Sequence, residues 1–134
     1  MINFLLDEAL KFHAKLDAES GIRDIGLIES AINAPFQTAF GQDRYPTIFD
    51  KAARLFFGIT QNHGFIDGNK RVALHTTAVF LYVNNFVIDC SQDELVEVGK
   101  KIASSKMSID EVKFWLLRHS AARIFFSGNI TIKP

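Results

Sequence analysis

The residues best equipped for chemistry lie in one run, His63-Gly64-Phe65-Ile66-Asp67-Gly68-Asn69-Lys70-Arg71-Val72, where a histidine, a carboxylate, a glycine turn and two cations converge. The flanking pattern puts His63 at the end of one helix and Gly68 to Arg71 at the start of the next. A helix N-terminus attracts anions, because its first N–H groups lack intrahelical acceptors and the dipole is positive there. Gly68 lets the backbone approach a ligand with no side chain in the way. Lys70 and Arg71 add two full charges in the first turn, where cations oppose the dipole unless an anion arrives. A phosphate-handling site accounts for these choices together.

Asp67 is better explained with a metal. A lone carboxylate repels a phosphate, whereas carboxylate and phosphate oxygens together form the usual partial shell of Mg²⁺. His63 lies across the loop and can face the same anion. Histidine ordinarily titrates near neutral pH, so it suits removal of a proton from an attacking hydroxyl. Asn69 either caps the loop or holds a phosphate oxygen. Taken singly, each residue has a plain structural role: His63 a helix C-cap, Asp67 an N-cap, Gly68 a turn, Lys70 and Arg71 solvated cations. Their meeting at one loop argues for phosphoryl transfer, which asks the protein mainly to position groups and neutralise charge. The run is not a Walker A loop, since Gly68 is followed by Asn69 rather than by Lys and Ser or Thr.

The elements that must hold this loop are mostly helical. Apolar residues recur from Phe4 to Leu16 at helical spacing, with Asn3 as the expected cap. Asp17 to Arg23 reads as a loop, and Asp24 as the N-cap of a short helix through Leu27, Ile28, Ala31 and Ile32. From Pro35 to Pro46 the period is lost in a long connection carrying Phe36, Phe40 and Tyr45, the kind of loop that is often functional. Thr47 with Asp50 resembles a capping box for a central helix that stops near His63. The helix after the loop runs to Val83, apolar on nearly every side and expected in the middle of the fold. Phe65 and Ile66 are both expected to point inward. Phe86-Val87-Ile88 reads as a short extended link. Ser91 with Glu94 and Ser108 with Glu111 are further capping boxes, opening helices to about Ser104 and about His119. The tail, from Ile124 to Ile132, has the pattern of a small hairpin.

Composition agrees with one domain over residues 1–134, with 121–134 as a C-terminal tail. The 134 residues carry 15 Lys+Arg against 15 Asp+Glu, so a bulk nucleic-acid binder is not expected. A 48% hydrophobic content with 13 Phe provides for a dense core. Cys90 is the sole cysteine, which excludes an internal disulfide and fits a reducing compartment. No stretch has the length and continuity of a membrane span and none resembles a signal peptide, so the expected location is the cytoplasm.

The run His63 to Arg71 resembles the signature of the Fic/Doc superfamily, specifically its death-on-curing toxin branch. Gly21-Ile22-Arg23-Asp24-Ile25-Gly26-Leu27-Ile28-Glu29-Ser30-Ala31 and Gln61-Asn62 are similar to that branch as well. The likeness covers residues 21 to 90 well and the ends loosely. It implies an all-α Fic fold of about six helices, with a long loop or flap before the central helix and the active loop between two central helices. The roles it implies are general base for His63, Mg²⁺ ligand for Asp67, anion hole for Gly68 with Asn69, and core anchor for Phe65. Lys70 stands where most Fic proteins have a second glycine, and Leu74 where they have a second arginine that grips nucleotide phosphates. Doc toxins share the change to lysine and act as kinases that bind ATP turned around, phosphorylating a threonine of elongation factor Tu. The resemblance therefore implies ATP as substrate, with AMP transfer or nucleotide binding without catalysis as alternatives. No Ser/Thr-x-x-x-Glu-Gly/Asn string of self-inhibited members is present, so restraint is expected from a Phd-like antitoxin. Gly64 replaces the proline common after the histidine.

The connection from Phe36 to Tyr45 is where a target chain would dock, or else Phe36 and Phe40 are plain core. His13 and His119 read as surface or packing residues, and His75, a turn beyond Arg71, either as a residue behind the site or, more simply, as a satisfied core histidine. Cys90 and Trp115 read as structural.

Overall fold

The computed structural model describes residues 1–16, 21–126 and 129–131, with side chains through residue 123. Six helices make up the body: α1 (Ile2–Lys15), α2 (Ile25–Asn33), α3 (Ile48–Asn62), α4 (Asn69–Val83), α5 (Gln92–Ala103) and α6 (Ile109–Arg118). Their starts follow local chemistry. The Asp24 carboxylate accepts from the Gly26 and Leu27 amides at the head of α2. Reciprocal capping boxes form at α3 (Thr47, Asp50), α5 (Ser91, Glu94) and α6 (Ser108, Glu111). α1 is the exception: Met1 takes the N-cap position with no side-chain bond, and Asn3 lies inside the helix.

α3 is the axis of the fold, packed against α2, α4, α5 and α6. Its Leu55 and Phe56 are fully enclosed, and burying a side chain such as Phe56 stabilises the fold by about 1.5–3 kcal/mol. α4 is less enclosed than its composition suggests. Val72, Ala73, Thr76, Thr77, Phe80 and Leu81 are buried, but Val83 is exposed. Leu74, His75 and Ala78 line an open groove of about 500 Å³ with Leu95 of α5. The helix carries apolar residues all round because it packs against both α3 and α1 and also floors this groove.

The strands are short. β1 (Thr38–Ala39) and β2 (Gln42–Asp43) form a hairpin inside the long connection, after one tight helical turn at Ala34–Phe36. β3 (Phe86–Ile88), expected only as an extended link, pairs with β4 (Ser120–Ala122) beyond α6. β5 (Ile124–Phe126) and β6 (Asn129–Thr131) pair as the tail hairpin, while Ile132 lies outside the described residues. Among the described residues, no helix is long and apolar enough to cross a membrane.

Candidate active site

The last turn of α3 is anchored on three sides before the chain leaves it. The Gln61 amide donates to the Ile102 carbonyl of α5, and the Asn62 amide to the Leu27 carbonyl of α2 at 3.1 Å. Arg23, just ahead of α2, donates through Nε to the His63 carbonyl at 2.7 Å and through Nη2 to the Asn62 carbonyl at 3.3 Å. A cation thus meets the negative end of the helix dipole. His63 then ends the helix in the left-handed region, with φ 51 and ψ 45.

Gly64 is a matter of space. Its carbonyl accepts from the amides of Arg23 and Asp24, drawing it onto the head of α2. A Cβ at this position would sit 2.4 Å from Ile28 Cγ1 and 3.1 Å from the Ile28 nitrogen. The next residue, Phe65, is 1% exposed and makes an antiparallel bridge with Ile22. Ile66 is 62% exposed, against the expectation that both apolar residues face inward. The bridge makes the chain extended here, and extended neighbours point to opposite sides.

The Asp67 carboxylate accepts the Gly68 amide through Oδ1 at 2.8 Å, while its other oxygen has no hydrogen bond among the described residues. Gly68 is the N-cap of α4 at φ 87, a conformation that suits glycine. The Asn69 amide is committed to the loop. It accepts from the Phe65 N–H at 3.0 Å and donates to the Phe65 carbonyl at 2.8 Å, which leaves the backbone of the first turn, not this side chain, to face an anion.

His63, Asp67, Gly68, Asn69, Lys70 and Arg71 line one depression of about 390 Å³, with Thr60, Ile66 and Ala103. Phe65 lies beneath it in the core. The Thr60 hydroxyl is buried in its wall without a hydrogen-bond partner. Among the described residues, neither Lys70 nor Arg71 pairs with a carboxylate, so two cations stand uncompensated at a helix N-terminus. Likewise, no three His, Cys, Asp or Glu side chains gather as a metal cluster. Asp67 alone suits an ion that takes its remaining ligands from phosphate and water, as Mg²⁺ does.

Several supporting residues escaped the sequence reading. His13 is buried, bonded to the Asp67 carbonyl and stacked on Phe65. Its signal was its place on the stripe Leu5, Ala9, His13, since an imidazole on a buried stripe needs a partner. Arg23, Gln61 and Asn62 showed only as polar residues of the resembling segments. His75 is half-buried rather than core, stacked on Phe12 with Nε2 3.4 Å from Glu8. His119 packs on Trp115 and meets Glu94 at 3.1 Å.

Two comparisons agree with this geometry. The model of the Fic/DOC family matches residues 3–81, which span α1 through most of α4 and include the whole loop. Toxin Doc of Mycolicibacterium smegmatis is 33% identical over 106 residues, covering 78% of this chain and 82% of that protein. With an all-α architecture of six helices and the signature loop between α3 and α4, the chain belongs to the Fic/DOC family.

Proposed function

We propose that this protein is the toxin of a toxin–antitoxin pair, acting in the cytoplasm as a Mg²⁺- and ATP-dependent protein kinase. It transfers the γ phosphate of ATP to a Ser or Thr hydroxyl of a translation factor, with elongation factor Tu as the expected target, and so arrests translation. The observation that carries this reading is the pair of uncompensated cations, Lys70 and Arg71, in the same depression as His63 and Asp67. Leu74 supports a kinase over AMP transfer. Where AMP-transferring members have a phosphate-gripping arginine, this chain places the aliphatic Leu74, in a cleft lined by Phe56, Leu95 and Val96 and also by Lys70, Arg71 and Lys100.

In this mechanism His63 takes the proton of the acceptor hydroxyl as its oxygen bonds to the γ phosphorus, and the bond to ADP breaks. The first-turn amides of α4, Lys70 and Arg71 hold the transferred group and neutralise its charge. Asp67 would hold Mg²⁺, which when bound offsets further phosphate charge. Phe65 and the Asn69 amide keep the loop in shape. The hairpin with Phe40 at its tip offers the target a docking point. The groove along Leu74, Ala78 and Leu95 suits an amphipathic helical segment of a Phd-like antitoxin, in keeping with the toxin name of the relative.

The test is to incubate the purified protein, freed of antitoxin, with elongation factor Tu and Mg²⁺, using ATP labelled at the γ or the α phosphate. Label from γ alone supports the kinase. Label from α means AMP transfer, and no label from either points to another target or to binding without catalysis.

A further inference from the structure

Among the described residues, His13 is the one ionisable side chain that is buried, at 7% exposure. A buried imidazole is unfavourable unless it is bonded, and a leucine or phenylalanine would fill the space without that cost. What the imidazole adds is one hydrogen bond, from Nε2 to the Asp67 carbonyl at 3.1 Å. A carbonyl only accepts, so the ring carries its proton on Nε2. The same ring stacks on Phe65, with centroids 4.0 Å apart and planes 20° from parallel. Leu16, near the end of the same segment, fills the space beneath Gly68, where a Cβ would come within 2.9 Å of its Cδ1.

The bonded carbonyl belongs to the Asp67–Gly68 peptide, and the other end of that peptide is held too. Its N–H donates to the carboxylate of Asp67 at 2.8 Å. The peptide plane is therefore pinned at both ends, and the carboxylate is aimed by one of the pins. Without the first, a peptide preceding a glycine at φ 87 rotates cheaply, since glycine occupies both halves of backbone space. Rotation would turn the carbonyl away, break the 2.8 Å bond and release the carboxylate.

We infer that His13 is a positioning residue: through its Nε2–H it fixes the Asp67–Gly68 peptide, and so sets the direction of the Asp67 carboxylate and of the amides at the head of α4. Its importance for transfer rests on the kinase reading above, while its effect on the peptide does not.

Two substitutions separate the hydrogen bond from packing. His13→Phe keeps an aromatic ring against Phe65 and removes the donor, and His13→Gln keeps a donor and removes the ring. The readouts are the backbone amide resonances of Gly68 and Asn69 in the free proteins and the Mg²⁺ concentration for half-maximal γ-phosphate transfer. His13→Phe should retain the helical circular dichroism of the wild type, displace both resonances and raise the Mg²⁺ requirement about 10- to 100-fold. His13→Gln should restore most of both. Wild-type resonances and Mg²⁺ requirement in a folded His13→Phe would overturn the inference. Should His13→Phe not fold, the ¹⁵N shifts of the wild-type ring decide, since a proton on Nδ1 overturns it and one on Nε2 supports it. A wild type that transfers no phosphate defeats the kinase reading, and the amide resonances then judge His13 alone.

Discussion

The molecule has two loops that matter, and they are built in opposite ways. The signature loop from His63 to Asn69 is fastened to α1 by His13, to the head of α2 by Arg23 and the Gly64 carbonyl, and to itself by the Asn69 amide. Among the described residues, the hairpin of β1 and β2 is fastened only near its base, where Lys51 meets Asp43 at 3.2 Å and donates to the Tyr45 carbonyl, and where Phe36 packs edge-on against Phe80. Its tip turns through Phe40 and Gly41, and the Phe40 side chain is as exposed as in an extended chain, at 105%. Of the two aromatics read as core or as docking surface, one therefore packs and the other projects. Chemistry on a phosphate needs groups held to fractions of an ångström, whereas a docking surface can adapt to its partner.

The largest expected effect lies at the centre of the held loop. His63→Ala should cut γ-phosphate transfer by about 10²- to 10⁴-fold while leaving stability within about 0.5 kcal/mol, because the ring is exposed. Labelled transfer and urea unfolding measured side by side would show it, and unchanged transfer would remove His63 from the mechanism. Next comes Asn69→Ala, which leaves the Phe65 N–H and carbonyl without partners. It should lower unfolding free energy by about 1–3 kcal/mol and reduce transfer as well. A loop that lost this side chain at no cost in urea midpoint would not be the rigid member of the comparison.

The hairpin should respond the other way. Phe40→Ser is expected to leave the urea midpoint unchanged and ATP binding intact while lowering kcat/KM for the protein target by about fivefold or more. An equal loss of stability would erase the contrast between the loops. The smallest effect concerns the helix head that follows the hairpin. Burial alone pushes the Asp50 carboxyl up, but hydrogen bonds from Lys113 and Thr47 outweigh it and hold it below its ordinary value of 3.8. A depressed carboxylate stabilises the fold above the unfolded value, and that contribution is lost as pH falls through the folded one. In an acid titration followed by circular dichroism, Lys113→Met should therefore move the onset of unfolding to higher pH.

Features encoded within one turn of chain were legible. The three capping boxes, the Asp24 cap and the turn at Gly68 formed as their spacing implied, because each is a contact between residues no more than three apart. Residues joined across the fold were not. His13 and Asp67 are 54 positions apart, and Arg23 and His63 are 40 apart. A polar residue at such a distance gives no local sign of its partner. Ile66 was misjudged for a related reason, since the bridge from Ile22 sets which way it faces. β4 went unread because Ser120–Ala122 becomes a strand only through its pairing with β3. The depression itself was legible as a set of residues, though not the commitment of the Asn69 side chain to Phe65.

The contact between Gly64 and Ile28 also makes the loop and the helix beside it a matched pair. The Cβ of any larger residue at position 64 would fall 2.4 Å from Ile28 Cγ1. A side chain at 64 therefore requires Ile28 or the backbone of α2 to shift, since the Ile28 nitrogen lies 3.1 Å from the same point. Loop and α2 thus form one fitted unit: a loop with a larger residue at 64, grafted here without a matching α2, would have to displace that helix head.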